Sequence, residues 1–256
     1  MIQLNVKTEY SILNSIVKVK DVIDKAKRNN MSSLAITDIN NLHMAFTFQN
    51  LCKKQGIHPI LGLCPVIKSE DGYYMLTLLA KDGIGYKNLV ALATIANIGE
   101  REFPYIHFDD LKQHGKGLFC LTGGISGELV ELIHQNKEKE ADIYLQNLVN
   151  IYGKENVIIE MSNHGLPAER DFMDSQWLEN IINNKGFMYV GTNEAYYLQK
   201  EHSIHRSIAL SMNPNPAGID IYSSYVDYNN EFYFKTEKEM EQTFKRYLTI
   251  YPNISL

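Results

Sequence analysis

The chain has 256 residues, 45% of them hydrophobic and 21% charged, enough to enclose a sizeable core in roughly one or two domains. Lys plus Arg number 25 and Asp plus Glu 30, a net charge of −5 that excludes a polycationic tail and gives no global attraction to nucleic acid. Cys52, Cys64 and Cys120 are too few and too scattered for a disulfide framework and suit a reducing, cytoplasmic setting.

The elements follow in chain order. Residues 2–6 read as a strand, with no apolar signal core before them. Val19, Val22, Ile23 and Ala26 fall at helical spacing, and Asn29 and Asn30 stop that helix. A strand is expected at 34–37, a helix at 44–54 ending near Gly56, and a strand at 59–63. A turn at Glu70, Asp71 and Gly72 precedes one strand over 74–80. Leu89, Val90, Leu92, Ala93 and Ala96 mark a helix, and Asp109 or Asp110 caps a short one ending near His114. Then come a strand at 118–121, helices at 128–134 and 141–151, and a strand at 157–161. One helix starts near Ala168 and carries Phe172, Trp177 and Ile181. A strand at 187–191 and a helix at 204–212 complete the alternation. Residues 213–230 read as a long loop and 231–234 as a short strand. Thr236 with Glu239 forms a capping box that opens a last helix. This alternation predicts a mainly parallel α/β fold, and no apolar run is long enough to span a membrane.

In parallel α/β folds, ligands gather at the carboxyl ends of the strands. Lys7, Thr8, Glu9 and Tyr10 stand there, as do Asp38, Asn40 and Asn41, then Cys64, the run Thr122, Gly123 and Gly124, and finally Glu160, Asn163, His164, Asn193, Glu194 and Tyr196. This crown mixes both signs of charge and is poor in imidazole: of eight histidines only His164 falls in it. A multi-metal phosphoesterase site needs several imidazoles and carboxylates converging. The bland reading is that these residues are turn and cap groups.

Eight stretches, in order, resemble one family: LNVKTEYSIL (4–13), LAITDINNL (34–42), HPILGL (58–63), LLAKDGIGYKNL (78–89), GLFCLTGGISG (117–127), EMSNHGLP (160–167), VGTNEAYYL (190–198) and EFYFKTEKEM (231–240). Together they resemble the N-terminal PHP (polymerase and histidinol phosphatase) domain of bacterial replicative DNA polymerase III alpha subunits, of the DnaE type. The resemblance implies a distorted barrel of about seven strands with surrounding helices, an α/β fold of the PHP-type (β/α)7 kind. It implies one domain over 1–256: a barrel core over about 1–212, then a loop, a short strand and a terminal helix leading towards a palm domain absent from these 256 residues.

Metal-binding members of the family hold up to three ions at one end of the barrel and hydrolyse phosphoesters. The resemblance places their first His-x-His on Asn5 and Lys7 and the following acid on Glu9. The His of Thr-Asp-His falls on Ile39, beside a retained Asp38. The Glu of Gly-Cys-Glu falls on Cys64, the Cys of Ser-Gly-Cys on Gly124, and the closing Asp-x-His on Glu194 and Tyr196. Each replacement removes a ligand or, at Lys7, installs a cation with no lone pair to offer. The expectation is a vestigial network of Asn5, Lys7, Glu9, Asp38, Ile39, Cys64, Gly124, Glu160, His164, Glu194 and Tyr196 with no catalytic metal. Lys7 is expected to neutralise Asp38 and Glu194, the bland alternative being that it snorkels to solvent. Glu160 and Asn163 are expected to join the network.

The expected partners are the rest of the polymerase chain, its palm and thumb regions, and a separate proofreading exonuclease. Little direct DNA contact and no membrane contact are expected, although Lys53 and Lys54 or the Lys25, Lys27 and Arg28 cluster could touch DNA locally. The 16 tyrosines suit protein contact surfaces. Two other readings stay open. One is an Mg²⁺- or Mn²⁺-dependent phosphoesterase or 3′–5′ exonuclease built on Glu9, Asp38, Glu160, Glu194 and His164. The other is an independent α/β binding protein.

Overall fold

Helix α1 (Val19–Arg28) buries Val19, Val22, Ile23 and Ala26, one stripe at three- and four-residue spacing. It stops at Asn29, and Asn30 takes a φ of 55°. Strand β1 (Ser33–Ile36), helix α2 (Ala45–Gln55) and strand β2 (His58–Leu63) form a parallel β-α-β unit. Gly56 ends α2 in the left-handed region at φ 72°, which its missing Cβ allows. The computed structural model describes residues 1–99, 103–212 and 229–256.

The next connection has no helix. Strands β3 (Val66–Lys68) and β4 (Tyr73–Met75) form a hairpin, and β5 (Thr77–Ala80) follows at once. So short a return favours reversal of direction, and β5 pairs antiparallel to β2. The expected single strand over 74–80 is therefore two strands, which belong to different sheets and break at Leu76. Strand β3 carries no signal long enough to read from the sequence. Helix α3 (Gly83–Asn97) starts at Asp82, whose Oδ1 accepts from the Ile84 and Gly85 amides at 2.8 and 2.9 Å. Strand β6 (Ile106–His107) joins β3, and α4 (Phe108–His114) follows. Neither Asp109 nor Asp110 is its N-cap. His107 is, and Asp110 accepts the His107 amide at 2.8 Å.

Strand β7 (Leu118–Leu121), helices α5 (Glu128–His134) and α6 (Glu138–Tyr152) and strand β8 (Val157–Ser162) come next. The expected single helix after β8 is two, α7 (Pro167–Met173) and α8 (Gln176–Asn183). Ser175 separates them, because its hydroxyl accepts the Leu178 amide and starts a new helix. Strand β9 (Met188–Thr192), α9 (Ser203–Ser211) and α10 (Glu237–Ile250) complete the strands and α-helices among the described residues. The capping box at Thr236 and Glu239 opens α10 as expected. Residues 231–234 make a single bridge, Tyr197 to Tyr233, rather than a strand. Of the expected loop over 213–230, residues 213–228 lie outside the described residues.

The large sheet runs β1-β2-β5-β7-β8-β9, parallel except at β5. Residues 2–6 are not a laddered strand. They join the two ends of the sheet by isolated bridges, Gln3 to Leu34 and Val6 to Ala195. The result is the expected distorted barrel, curled and incompletely closed.

Period-two alternation then layers its interior. Ala35, Leu79, Leu121 and Val190 form an apolar floor, with Ile60 and Ile158 packed against it. Two residues further along each strand stand Thr37, Gly62, Glu160 and Thr192. Because β5 runs backwards, its contribution to the upper layer is Thr77, which precedes Leu79. The main apolar core lies outside the sheet, under α3 and α5 to α8. Tyr144, Tyr152, Tyr196, Tyr197, Tyr233, Tyr247 and Tyr251 are buried, so much of the tyrosine content fills the interior rather than a contact surface. Among the described residues no helix is long and apolar enough to cross a membrane.

Candidate functional site

The upper layer of the barrel is polar and closed to solvent. Lys7 and Glu160 are 0% exposed, Asn5 1%, and Asp38 and Glu194 2%. Backbone bonds hold the first segment in place: the Lys7 amide donates to Ala195 O, and the Thr37 amide to Val6 O. Val6 faces the α1 and α2 core. Alternation therefore aims Asn5 and Lys7 into the barrel.

Lys7 does not snorkel, and it does not pair directly with Asp38 or Glu194. No carboxylate lies within 4.0 Å of its ammonium among the described residues. Its Nζ donates to Asn5 Oδ1 and, at 3.3 Å, to Thr37 Oγ1. Asn5 then donates from Nδ2 to Glu160 Oε1 at 3.0 Å and to Thr77 Oγ1 at 3.1 Å. The amide of Asn5 is thus a relay between a buried cation and a buried anion. Its oxygen faces the ammonium and its nitrogen faces the carboxylate.

Each acid has its own donors. Glu160 Oε1 also accepts from Thr192 Oγ1 at 2.7 Å, and Oε2 accepts the Gly123 amide at 3.0 Å. Gly123 needs its φ of 90° to aim that amide, and a Cβ there would stand 2.0 Å from Met75 O. Asp38 accepts from the Thr8 amide at 2.6 Å, Thr8 Oγ1 at 2.7 Å and Ser11 Oγ at 2.7 Å. Glu194 Oε2 accepts from Tyr196 OH at 2.9 Å and Ser126 Oγ at 3.1 Å, while its Oε1 is buried without a protein partner. Burial pushes the Asp38 and Glu160 carboxyls above the usual range, and the donors and Lys7 only partly oppose it.

The remaining expected members divide. Tyr196 belongs to the network through its hydroxyl. Gly124 lines it at φ 52°, where a Cβ would stand 3.1 Å from Ser162 Oγ. Cys64 is buried beside Met75, and burial raises its thiol to about 11, so it is no thiolate nucleophile. Ile39 bridges Cys64 and is half-buried. Glu9 is exposed and lies outside the network, because its amide turns to Val17 O. Asn163 donates to Thr243 O at 2.7 Å and also lies outside. His164 is buried but bound elsewhere. Its Nδ1 lies 2.6 Å from Glu169 Oε1, its ring stacks on Phe232 at 3.9 Å, and its Nε2 has no protein partner. Burial raises the Glu169 carboxyl, but His164 and two amides outweigh it and hold it below the usual range.

Thr8 and Tyr196 apart, the hydroxyls that complete the network do not stand just past the end of a strand where the sequence places ligands. Thr77 sits at the start of an antiparallel strand, and Thr192 ends its own. Ser11 comes from a turn after the first segment and Ser126 from a single 3₁₀ turn over Gly124–Ser126. The one signal available was a hydroxyl two residues from an inward apolar side chain.

The donor set does not suit a multi-ion site. Asp38 and Glu160 each already accept three protein donors, Lys7 supplies a cation at the centre, and His164 is held away by Glu169 and the Phe232 ring. No group of three or more His, Cys, Asp or Glu converges to hold a metal among the described residues.

Over residues 3–164 the sequence matches the model of the PHP domain. The DNA polymerase III alpha subunit of Borreliella burgdorferi is 31% identical over 255 residues, which is 95% of this chain and 22% of that protein. That of Treponema pallidum is 30% identical over 258 residues, 96% of this chain and 22% of that protein. The chain spans about a fifth of the length of these curated relatives. An amidohydrolase from Chromobacterium violaceum, solved with bound sulfate and no metal, is similar at a TM-score of 0.51 and 13% identity, over 76% of this chain and 87% of that one. That likeness is one of fold alone.

Proposed function

The chain belongs to the PHP domain family, and from that premise we propose that it is the PHP domain of a bacterial replicative DNA polymerase III alpha subunit, acting as a scaffold without hydrolytic chemistry of its own. The polymerase activity then belongs to the longer protein, in a palm region beyond these residues. The partners of the scaffold are that palm, the thumb and a proofreading exonuclease.

One observation carries the reading: the Lys7 ammonium stands at the centre of the barrel mouth. A multi-ion phosphoesterase centre needs lone pairs pointing inwards. This mouth offers Lys7 donors, two carboxylates that each already accept three protein donors and a protonated thiol. A fixed internal charge balances the acids where a family metal centre would do so, and the barrel keeps its shape without an ion.

The carboxylate-site reading retains one specific support, the unpartnered Glu194 Oε1. Titration with Mn²⁺ followed by metal analysis separates the two. The scaffold reading expects less than stoichiometric retention and no turnover of single-stranded DNA or a phosphomonoester. Stoichiometric Mn²⁺, lost together with turnover in Glu194→Gln, would reverse it.

A further inference from the structure

The net charge of −5 conceals a local asymmetry. Helices α1 and α2 carry Lys20, Lys25, Lys27, Arg28, Lys53 and Lys54 against only Asp21 and Asp24. Four of these cations, Lys27, Arg28, Lys53 and Lys54, stand exposed in the last turns of the two helices. Lys27 Nζ donates to Gln55 O at 2.8 Å, which ties the last turn of α1 to the last turn of α2, where Lys53 and Lys54 stand. Arg28 presses on Lys25 and helps lower the Lys25 pKa after burial has done so. No carboxylate lies within 4.0 Å of Lys27, Arg28, Lys53 or Lys54 among the described residues.

Lysines in a last helical turn also suit the helix dipole. That accounts for charge, but not for what lies beside it. The core-facing residues of α2 are Ala45, Phe48 and Cys52. Phe46 points away from them and is 75% exposed. Phe46, Gln49, Asn50 and Lys53 fall three, four and seven residues apart, which is one helix face. The ring and the Lys53 backbone are about 10 Å apart along the axis. Beyond Phe46, at the rim, Tyr10 is 37% exposed and packs edge-on to His43 at 6.1 Å.

We propose that this outer face of α2, with the last turn of α1, docks single-stranded nucleic acid. Lys27, Arg28, Lys53 and Lys54 neutralise backbone phosphates, Phe46 stacks a base, and Gln49 and Asn50 supply amides between them. Cations next to an exposed aromatic are what sequence-tolerant single-strand binding uses. An acidic protein segment would use the same lysines but would gain little from an isolated ring. The face lies outside the barrel, so the proposal stands or falls separately from the metal-free reading of the mouth.

Fluorescence anisotropy of the 256-residue chain with a labelled oligothymidylate of about 12 nucleotides tests it. Binding is expected at about 50 mM salt and should weaken with a log–log slope of about −2 to −3, since each neutralised phosphate contributes about 0.7. Lys53→Ala with Lys54→Ala should reduce that slope by about 1.4. Phe46→Ala should weaken binding about tenfold and leave the slope unchanged. Lys238→Ala with Lys245→Ala removes two cations that are likewise exposed, from α10, and should change nothing. All these side chains are exposed, so unchanged melting curves will show that the variants fold. No binding at low salt would overturn the proposal, as would equal losses from both lysine pairs. Displacement by polyglutamate with Phe46→Ala silent would assign an acidic protein segment instead, and would also overturn it.

Discussion

Lys7 and Lys53 carry the same ammonium in opposite settings. Lys7 is sealed in the barrel with Asn5 and Thr37 as its hydrogen-bond partners, and the acids it balances are themselves dehydrated. Lys53 stands on α2 in water with no carboxylate within 4.0 Å among the described residues. The contrast shows that burial, not residue type, decides what a charge does. In the mouth the cation is part of the structure, and its loss leaves anions uncompensated in a low dielectric. On α2 it costs the fold nothing to keep or to lose, so it is free to serve a ligand.

Four measurements break or sharpen this contrast. Lys7→Met should destabilise the chain most, by about 3–5 kcal/mol, because it takes the ammonium from Asn5 Oδ1, leaving that oxygen only the Thr37 hydroxyl, and leaves Glu160 and Asp38 without their cation. The melting temperature should fall by roughly 10 °C through loss of the buried cation, and an unchanged one would refute the structural role of Lys7. Asn5→Leu comes next at about 2–3 kcal/mol, since it unties the relay on both sides. If urea unfolding shows no loss, the relay is incidental.

Asp38→Asn should cost about 1 kcal/mol near neutral pH, because the hydroxyl of Thr8 can turn to accept from the new amide. Its sharper signature is in pH. Burial raises the Asp38 pKa in the folded state above its unfolded value of about 3.9. The contribution of Asp38 to stability is therefore fully present below about pH 4 and is lost as pH rises through the raised value. The variant lacks that loss, so its deficit relative to the parent should shrink between pH 4 and 7. A deficit that grows over this range would mean that the carboxylate is favoured by folding. Last, Lys53→Ala should move stability by no more than about 0.5 kcal/mol in the same unfolding experiment. A larger change would place Lys53 in the fold rather than on a free face.

Legibility followed the physics of each element. Long amphipathic helices such as α1 and the capped start of α10 carry their signals within a few residues, and both stand where expected. Strand β3 is three residues long, and β5 differs from its neighbours only in direction. Neither property is written in local hydrophobicity. The break between α7 and α8 turns on one hydroxyl at Ser175. At the site, Asn5, Lys7, Asp38, Glu160, Glu194 and Tyr196 were identifiable from their places at strand ends and from the family pattern. Glu9 and Asn163 were misplaced, since an exposed turn and a bond to α10 drew them away.

Residue order alone was enough to show which segments alternate, that imidazoles are scarce at the strand ends, and that a lysine stands among acids there. It could not show that Lys7 reaches those acids through Asn5. Nor could it show that Thr77 enters the mouth from a reversed strand, or that Lys27 and Gln55 bring two basic helix ends together. Such contacts join residues far apart in the chain, and they exist only once a curled sheet has fixed direction, register and burial at the same time.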